Sequence, residues 1–95
     1  MTLRLVVTIT AAPGRGSELA QAYSKRAAEC RQEPGCEQFD VFHGVGNPDT
    51  FVLLERWTDA AALEAHAQLN ATRAPVLPAL RVGSEREDYE YSRTR

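Results

Sequence analysis

The residues best suited to chemistry lie in one stretch, from Phe51 to His66. An apolar segment there is followed by Glu55 and Trp57, and an Ala-rich segment with helical spacing then presents His66. A carboxylate and an imidazole can move protons near neutral pH, and an indole can stack on an aromatic ring. We therefore predict that Glu55, Trp57 and His66 are the catalytic residues, gathered at the junction of a strand and a helix.

A structural interpretation stands beside each of these assignments. His66 could be a core histidine that is bonded to Glu55 or to a backbone carbonyl. A lone buried carboxylate is costly, so Glu55 should have an Arg or a His as its partner, within the chain or across a dimer contact. Trp57 comes just before the cap of the following helix and could fasten that helix to the sheet.

Four further residues are predicted to bind a substrate. Tyr23 lies on the inward stripe of the first helix, where its hydroxyl could bond a substrate oxygen or simply pack in the core. Leu53 and Leu63 would form apolar walls of a chamber between helices and sheet. Arg73, in the irregular segment after the second helix, could meet an anionic group.

The spacing of apolar residues predicts the elements that position these side chains. Alternating β-branched residues predict strands, and apolar residues that recur every three or four positions predict helices. The first half is predicted to contain a strand over 3–10, a helix from about 17 to a stop at 34–35, and a strand over 36–43. A loop over 44–49 and a strand over 51–57 follow, and then a helix that is capped by Thr58 or Asp59 and has Leu63, His66 and Leu69 on one side. A short irregular turn around Pro75 and Pro78 leads to the last strand, over 81–91.

This β-α-β-β-α-β order predicts an α+β, ferredoxin-like fold with a four-stranded antiparallel sheet. Right-handed crossovers place the first and third strands in the centre and both helices on one face. Both central strands are apolar on both faces; Leu5 and Ile9 point one way, for example, and Val6 the other. A ligand or a loop could cover the second face, but a second copy of the chain is predicted. The homodimer would join two sheets into a dimeric α/β barrel.

The composition indicates an ordinary globular domain. The 95 residues are predicted to form a single domain, 1–95, with 43% hydrophobic and 25% charged residues. No apolar run approaches the roughly 20 residues of a spanning helix, and a net charge of -2 offers no cationic patch, so neither a membrane nor a nucleic acid is predicted as a partner. The N-terminus lacks a signal-peptide pattern, which predicts a cytoplasmic location.

Two cysteines, Cys30 and Cys36, are too few for a disulfide framework. They are predicted to be small buried thiols. Neither a Cys-x-x-Cys pair nor a His/Cys cluster at zinc spacing occurs, so no metal site is predicted.

Several segments together resemble the antibiotic biosynthesis monooxygenase (ABM) domain family. They are Glu33–Cys36 with Phe39, Asn47–Asp49, Phe51–Trp57 and Ala61–His66, and the likeness extends from Leu3 to Tyr91. The joint order and spacing carry the resemblance, since no single segment is diagnostic. Members of the family are dimeric α/β barrels of ferredoxin-like protomers, so the resemblance implies the assembly that the two-faced central strands also indicate.

The resemblance implies one of several activities, because one fold serves them all. Members oxygenate aromatic polyketides and quinols without metal or flavin, degrade haem oxidatively, or isomerise a small phosphorylated signal molecule. Trp57 matches a Trp of the polyketide oxygenases and of the haem-degrading members. The Asn and Tyr of the polyketide oxygenases are replaced by Leu53 and Leu63. The haem-degrading members have an Asn in the first strand and a later His ligand, whereas this first strand has no Asn and no His follows His66.

The expected function is a cofactor-independent monooxygenase that acts on a small aromatic phenol, quinol or polyketide-like substrate. Such chemistry needs an electron-rich ring that can ionise and pass an electron to O2, inside an apolar chamber that keeps water away. A non-catalytic dimeric module that holds a small aromatic or apolar ligand is the main alternative. A haem-degrading or isomerase member is the remaining one.

Overall fold

The structure, a computed structural model, describes residues 1–92. Its elements follow the predicted order: β1 (Thr2–Ala11), α1 (Gly16–Cys30), β2 (Cys36–Gly44), β3 (Asn47–Trp57), α2 (Ala60–Asn70), a short 3-10 helix (Pro78–Leu80) and β4 (Arg81–Tyr91). The predicted ferredoxin-like α+β fold is confirmed. Within residues 1–92, neither main helix combines the length and the apolar character that a membrane span requires.

The sheet has the strand order β2-β3-β1-β4, and all neighbouring strands are antiparallel. β1 and β3 are therefore the central strands, as predicted. Leu5 pairs with Glu55, and Val6 pairs with Leu54. Because side chains alternate along a strand, the first pair points to the face that the helices cover, here called the inner face. The second pair points to the opposite, outer face, on which no helix packs.

The core lies between the inner face and α1. Apolar residues recur at helical spacing along α1, so one stripe of that helix meets the sheet. Burial is complete for six large side chains of the core, namely Trp57, Phe51, Leu5, Ile9, Leu19 and Cys30. The predicted inward stripe of α1, which includes Tyr23, is confirmed.

The start of α1 is tied to the start of β3. The Asp49 carboxylate accepts hydrogen bonds from the backbone N–H groups of Gly14 and Gly16, each at 3.0 Å. These N–H groups have no partner within the helix, so the carboxylate satisfies them. A Cβ atom at Gly16 would lie 1.9 Å from the carbonyl oxygen of Pro48. Only glycine permits this close approach of helix and strand.

The turn from α1 to β2 lies against the start of α2. Gly35 has a φ of 82°, in the left-handed region that favours glycine. Its carbonyl accepts the backbone N–H of Thr58 at 2.9 Å, and a Cβ atom at Gly35 would lie 2.5 Å from the Cβ of Ala62. The close contact brings Glu33, two residues before Gly35, next to α2.

The second helix is held less tightly than the first. Asp59 caps it by accepting a backbone N–H at 2.8 Å, but none of its residues is fully buried. The predicted inward position of Leu69 is wrong, since 45% of that residue is exposed. Seven residues nearly complete two helical turns, so Asn70 rather than Leu69 lies in line with Leu63. Asn70 accepts a hydrogen bond from Arg26 of α1 at 3.1 Å.

The turn between β2 and β3 is shorter than predicted. Gly44 pairs with Asn47, so the turn consists of Val45 and Gly46, and residues 47–49 belong to β3. A two-residue connection is typical of an antiparallel hairpin. The Asn-Pro-Asp segment suggested a loop because its residue types favour turns, yet here Asp49 binds the start of α1 from the end of a strand.

Candidate active site

A cavity of about 730 Å³ lies between the inner face and the two helices. Its walls include six of the seven predicted site residues, namely Tyr23, Leu53, Glu55, Leu63, His66 and Arg73. The seventh, Trp57, is fully buried and is not part of the wall. The cavity volume falls in the range of sites that enclose a small organic molecule.

His66 reaches the cavity from α2. Its Nδ1 lies 2.8 Å from Oε1 of Glu33, and its ring packs on the Trp57 indole with the ring centroids 4.6 Å apart. The expected bond from His66 to Glu55 is wrong, because the turn that follows α1 places Glu33 against α2 instead. An ionised carboxylate only accepts hydrogen bonds, so Nδ1 carries the hydrogen and Nε2 is left as a proton acceptor.

Glu33 is a buried, ion-paired carboxylate. Its second oxygen accepts a hydrogen bond from Nη1 of Arg73 at 2.7 Å. Burial alone would raise the pKa of Glu33, but the hydrogen bonds from Arg73 and His66 outweigh it and hold the pKa below its ordinary value. Glu33 is therefore ionised at neutral pH and can stabilise a positive charge on His66. Arg73, predicted to meet an anionic substrate, is instead engaged by Glu33.

Glu55 lies on β3 and is also buried. Its Oε1 accepts a hydrogen bond from Nε1 of Trp57 at 3.0 Å. No Arg or His within residues 1–92 forms an ion pair with Glu55, so the predicted charged partner is replaced by a neutral indole. Burial raises the pKa of Glu55, and the bond from Trp57 only partly opposes this. The neutral carboxyl of Glu55 therefore persists to a higher pH than that of a solvated Glu.

Trp57 supports both groups without entering the cavity. Its N–H orients Glu55, and its ring supports the imidazole of His66. The predicted stacking of Trp57 on a substrate does not match this placement, since the indole is 0% exposed. Trp57 is consequently a positioning residue for the two groups that face the cavity.

Tyr23 forms a different part of the wall from His66. Its ring packs on Phe51, with centroids 5.6 Å apart, and its hydroxyl accepts a hydrogen bond from Nη1 of Arg81 at 3.3 Å. Leu53 and Leu63 supply apolar wall between the polar groups. The ring of Tyr23 therefore packs in the core, and the bond from its hydroxyl to a substrate oxygen stays a prediction.

The Cys30 thiol lies beside the pair formed by His66 and Glu33. The ligand atoms of these three residues lie within 4.8 Å of one another, and thiolate, carboxylate and imidazole are groups that bind zinc. The sequence could not indicate this cluster, because the fold brings the three residues together from separate segments. However, Nη1 of Arg73 lies 3.6 Å from Cys30 Sγ, and burial raises the pKa of the Cys30 thiol to about 12. The Arg73 guanidinium thus already supplies a positive charge to this cluster.

The arrangement can transfer protons at a bound ligand. His66 can accept a proton at Nε2, and ionised Glu33 stabilises the resulting imidazolium. Glu55 can donate a proton in its neutral form, and burial extends that form to higher pH by raising the pKa of the carboxyl. Two carboxyl groups whose surroundings move their pKa values apart are typical of sites with separate acid and base roles.

Glu33 is the functional residue that sequence reasoning missed. Its position before Pro34 and Gly35 suggested only the end of a helix, and acidic residues in turns are usually solvated. The one available signal was the segment Glu33–Cys36 within the resemblance to the ABM domain family. That signal marked the segment but gave Glu33 no role.

The fold and the cavity define a class of small ferredoxin-like proteins with a cavity between the sheet and two helices. The profile of the family "Antibiotic biosynthesis monooxygenase" matches residues 2–75, and the chain belongs to this family. The expectation from the sequence is thereby confirmed.

Relatives of known structure share the fold over nearly the whole chain. PA3566 from Pseudomonas aeruginosa is 31% identical, with a TM-score of 0.82 over 97% of this chain and 95% of that chain. SnoaB from Streptomyces nogalater, described as a cofactor-independent oxygenase and solved as a point mutant, is 21% identical, with a TM-score of 0.78 over 98% of this chain and 95% of that chain. The second likeness concerns the fold alone.

A curated relative matches over a shorter region. The protein named "Putative monooxygenase YcnE" from Bacillus subtilis (strain 168) is 37% identical over 54 residues. The match spans 57% of this chain and 57% of that protein.

Proposed function

We propose that this protein is a cofactor-independent monooxygenase that acts on a small aromatic phenol, quinol or polyketide-like substrate. The observation that carries the proposal is the hydrogen-bonded pair of His66 and Glu33 beside a cavity of about 730 Å³. Family membership and the name of SnoaB support oxygen chemistry as the reaction class. The apolar walls formed by Leu53 and Leu63 suit an aromatic ring.

The proposed reaction starts with proton removal. Nε2 of His66 takes the proton of a phenolic hydroxyl, and Glu33 stabilises the imidazolium. The electron-rich phenolate then passes an electron to O2, and the two radicals combine at the ring carbon opposite the hydroxyl. That carbon must carry a hydrogen, and the imidazolium of His66 returns its proton to the peroxide anion that forms there. The hydroperoxide then breaks its O–O bond, hydroxide leaves and is protonated to water, and the hydrogen of the ring carbon leaves as a proton to Nε2 of His66, which gives a quinone with one oxygen atom from O2.

Glu55 is proposed as the acid of this reaction. The departing hydroxide of the hydroperoxide needs a proton, and the neutral form that burial favours in Glu55 can supply it. Trp57 holds that carboxyl in place through the bond of 3.0 Å. The proposal thus gives the His66 and Glu55 groups opposite proton roles on one substrate.

We also propose that the protein works as a homodimer. The outer face exposes apolar side chains of both central strands, among them Val6 and Leu54, while both helices pack on the inner face. A two-fold partner is the commonest cover for such a face. Two sheets joined there would form the dimeric barrel that the sequence predicted.

Oxygen consumption with a panel of quinols and phenols tests the proposed reaction. His66→Gln removes the base, so turnover should fall by about 100-fold or more. His43→Gln is the matched control, since His43 is exposed and is not part of the cavity wall. Activity should persist after dialysis against a chelator.

Two results would contradict the proposed function. Oxygen consumption that is equal in wild type and His66→Gln would remove the assigned base. Tight binding of the panel without any oxygen consumption would instead support the alternative, a non-catalytic ligand-binding module.

A further inference from the structure

Not every arginine of the cavity wall is hydrogen-bonded to a carboxylate of residues 1–92. Four arginines line it, namely Arg26, Arg73, Arg81 and Arg86. Arg73 is paired with Glu33 at 2.7 Å, and Arg86 is held by both oxygens of Asp88 at 2.6 Å. The question is therefore which anion the remaining two guanidinium groups meet.

Arg26 has a structural use. Its Nη groups donate to Asn70 and to the carbonyl of Ala74, which fastens α1 to α2 and the segment after it. Its Nε is buried without a hydrogen-bond partner among residues 1–92, and Glu29 lies 3.9 Å away, beyond hydrogen-bond distance. Arg26 thus contributes charge to the wall, but both of its terminal nitrogens already hold α2 and the segment after it, and Glu29 lies 3.9 Å from its Nε.

Arg81 is the guanidinium with free capacity. No carboxylate of residues 1–92 lies within 4.0 Å of the Arg81 guanidinium, which donates one hydrogen bond to the Tyr23 hydroxyl at 3.3 Å. A guanidinium has five N–H donors, so most remain available. The Tyr23 hydroxyl accepts from Arg81, which leaves its own hydrogen to donate, and no acceptor for that hydrogen lies within residues 1–92. The Arg81 guanidinium and the Tyr23 hydroxyl are therefore two adjacent hydrogen-bond donors in the cavity wall, and residues 1–92 supply no further acceptor for them.

The distance to Glu55, the proposed acid, suits a fused ring system. Tyr23 packs on Phe51, whereas Glu55 lies four positions further along the same face of β3. At about 3.3 Å per residue, the two positions are roughly 13 Å apart along the strand. Part of that length is taken up by side chains from both ends. A two-ring or three-ring aromatic molecule with one substituent fills the rest.

We propose that Arg81 and Tyr23 form an anion-binding subsite that selects aromatic substrates bearing a carboxylate, with the reacting ring placed at His66. This inference rests on the proposed function for the identity of the reacting end. The guanidinium and the hydroxyl each donate to the carboxylate, a charge-assisted arrangement stronger than a neutral hydrogen bond. Leu53 and Leu63 would contact the ring between the two polar ends.

Binding of a matched ligand pair tests the subsite. The pair is 5-hydroxy-2-naphthoic acid and its methyl ester, in which the carboxyl group and the hydroxyl lie on different rings; the two ligands differ in charge but keep the same ring system, and binding is measured by calorimetry under nitrogen so that no oxidation occurs. Wild type should bind the acid about 10-fold to 100-fold more tightly than the ester, as expected for hydrogen bonds to a charged group. Arg81→Gln should abolish the preference, and Tyr23→Phe should reduce it.

The matched control is Arg86→Gln, which removes the same charge from the same cavity wall. Because Asp88 already neutralises Arg86, this variant should keep the preference for the acid. Arg81 lies on the exposed start of β4, and Tyr23→Phe keeps the packed ring, so both variants should retain the circular dichroism of the wild type. Equal affinity for acid and ester in wild type would overturn the subsite, as would an unchanged preference in Arg81→Gln.

The outcome separates this inference from the proposed reaction. Preference for the acid without oxygen consumption would support the subsite and contradict the monooxygenase. Oxygen consumption with equal affinity for both ligands would support the monooxygenase and contradict the subsite.

Discussion

At the scale of single residues, Glu33 and Glu55 have opposite environments within one site. Glu33 accepts hydrogen bonds from a guanidinium and an imidazole, which lower its pKa against the effect of burial. Glu55 accepts one bond from a neutral indole, and burial raises its pKa. The charge state of each carboxyl therefore follows from its donors, since both are buried. Two predictions about stability separate them.

Replacement of Glu33 by Gln should destabilise the protein at neutral pH. It leaves Arg73 without its buried partner, which costs about 3 kcal/mol in comparable pairs. The folded-state pKa of Glu33 lies below its unfolded value of 4.5, so this stabilisation is fully present above pH 4.5 and is lost as the pH falls through the folded-state pKa. Urea unfolding at several pH values measures this.

The difference between wild type and Glu33→Gln should therefore be full at pH 7 and shrink below pH 4.5. Glu18→Gln is a suitable control, because Glu18 forms an exposed pair with Arg15 and contributes little. A difference that is constant from pH 7 to pH 3 would contradict the assigned ionised state.

Replacement of Glu55 by Gln should have the opposite effect and stabilise the folded protein at high pH. The folded-state pKa of Glu55 lies above its unfolded value, so the folded protein loses stability as the pH rises from 4.5 through the raised pKa. Gln keeps an acceptor for the Trp57 N–H and carries no charge. The variant should melt about 4 °C higher at pH 8, equal to roughly 1 kcal/mol, with little gain at pH 4.

Thermal unfolding of wild type and Glu55→Gln, followed by circular dichroism at the two pH values, tests whether the substitution raises the melting temperature. Lower thermal stability of Glu55→Gln at pH 8 would show that the charged carboxylate has a stabilising partner. Such a result would also remove Glu55 as the proposed acid.

The sequence predicted that the side chains of one stretch, from Phe51 to His66, come together, but it did not predict the bonds that they form. Glu55, Trp57 and His66 do meet at one junction, because strand and helix periodicity fix their directions. The partner of His66 could not be predicted, since Glu33 lies 33 positions earlier and reaches α2 only through the close packing at Gly35. Local patterns carry no information about such a contact.

At the scale of elements, the cavity exists because α1 and α2 are held differently. α1 is packed on the sheet along its whole inward stripe, whereas no residue of α2 is fully buried. Polar contacts hold α2, namely its Asp59 cap, the Gly35–Thr58 bond and the bond from Arg26 to Asn70. A helix fixed at its ends and edge, and not by a full apolar stripe, leaves open space beneath its centre.

The link between α1 and β3 through Asp49 gives a prediction about stability at this scale. Asp49→Ala leaves the backbone N–H groups of Gly14 and Gly16 unpaired, so the free energy of unfolding should fall by about 1–2 kcal/mol, as for a lost helix cap. Urea unfolding measures the loss. Asp40→Ala serves as a control, because Asp40 is half-exposed on the edge strand β2.

Asp49→Asn should lose less, since one amide oxygen can still accept a bond. Equal stability of wild type and Asp49→Ala would show that solvent replaces the carboxylate without cost. In that case the helix start would depend on the Gly16 contact alone.

The sequence predicted all six main elements and their order, and it misplaced residues where turn chemistry and periodicity compete. Asn47–Asp49 are typical turn residues, yet they extend β3, where the Asp49 side chain binds the start of α1 and the Asn47 side chain bonds Thr50 of the same strand. Leu69 is apolar but exposed, since helix geometry rather than residue type decides which side meets the sheet.

At the scale of the whole molecule, the two faces of the sheet differ in what covers them. The inner face packs on α1 and encloses the cavity. The outer face has Val6, Val52 and Leu54 at its centre and the half-exposed rings of Phe42 and Tyr89 towards its edges. Four strands about 4.8 Å apart and about 30 Å long give the outer face a flat area of roughly 600 Å², to which protruding side chains add further surface. Two such faces would bury about 1,200 Å² in total, which is the lower end of the range for specific stable interfaces.

A single charge at the centre of the outer face should separate the proposed dimer. Leu54 lies on β3 between Asp40 of β2 and Val6 of β1, so in a two-fold dimer its side chain would be close to the contact centre. Leu54→Glu would place an unpaired carboxylate in an apolar contact, and the cost of desolvating it exceeds what such an interface can supply. Leu69→Glu is the matched control, because Leu69 is equally apolar but exposed on α2. Light scattering at micromolar concentration should give twice the protomer mass for wild type and for Leu69→Glu. It should give the mass of one protomer for Leu54→Glu. A monomeric wild type would contradict the dimer and mean that something other than a second copy covers the outer face.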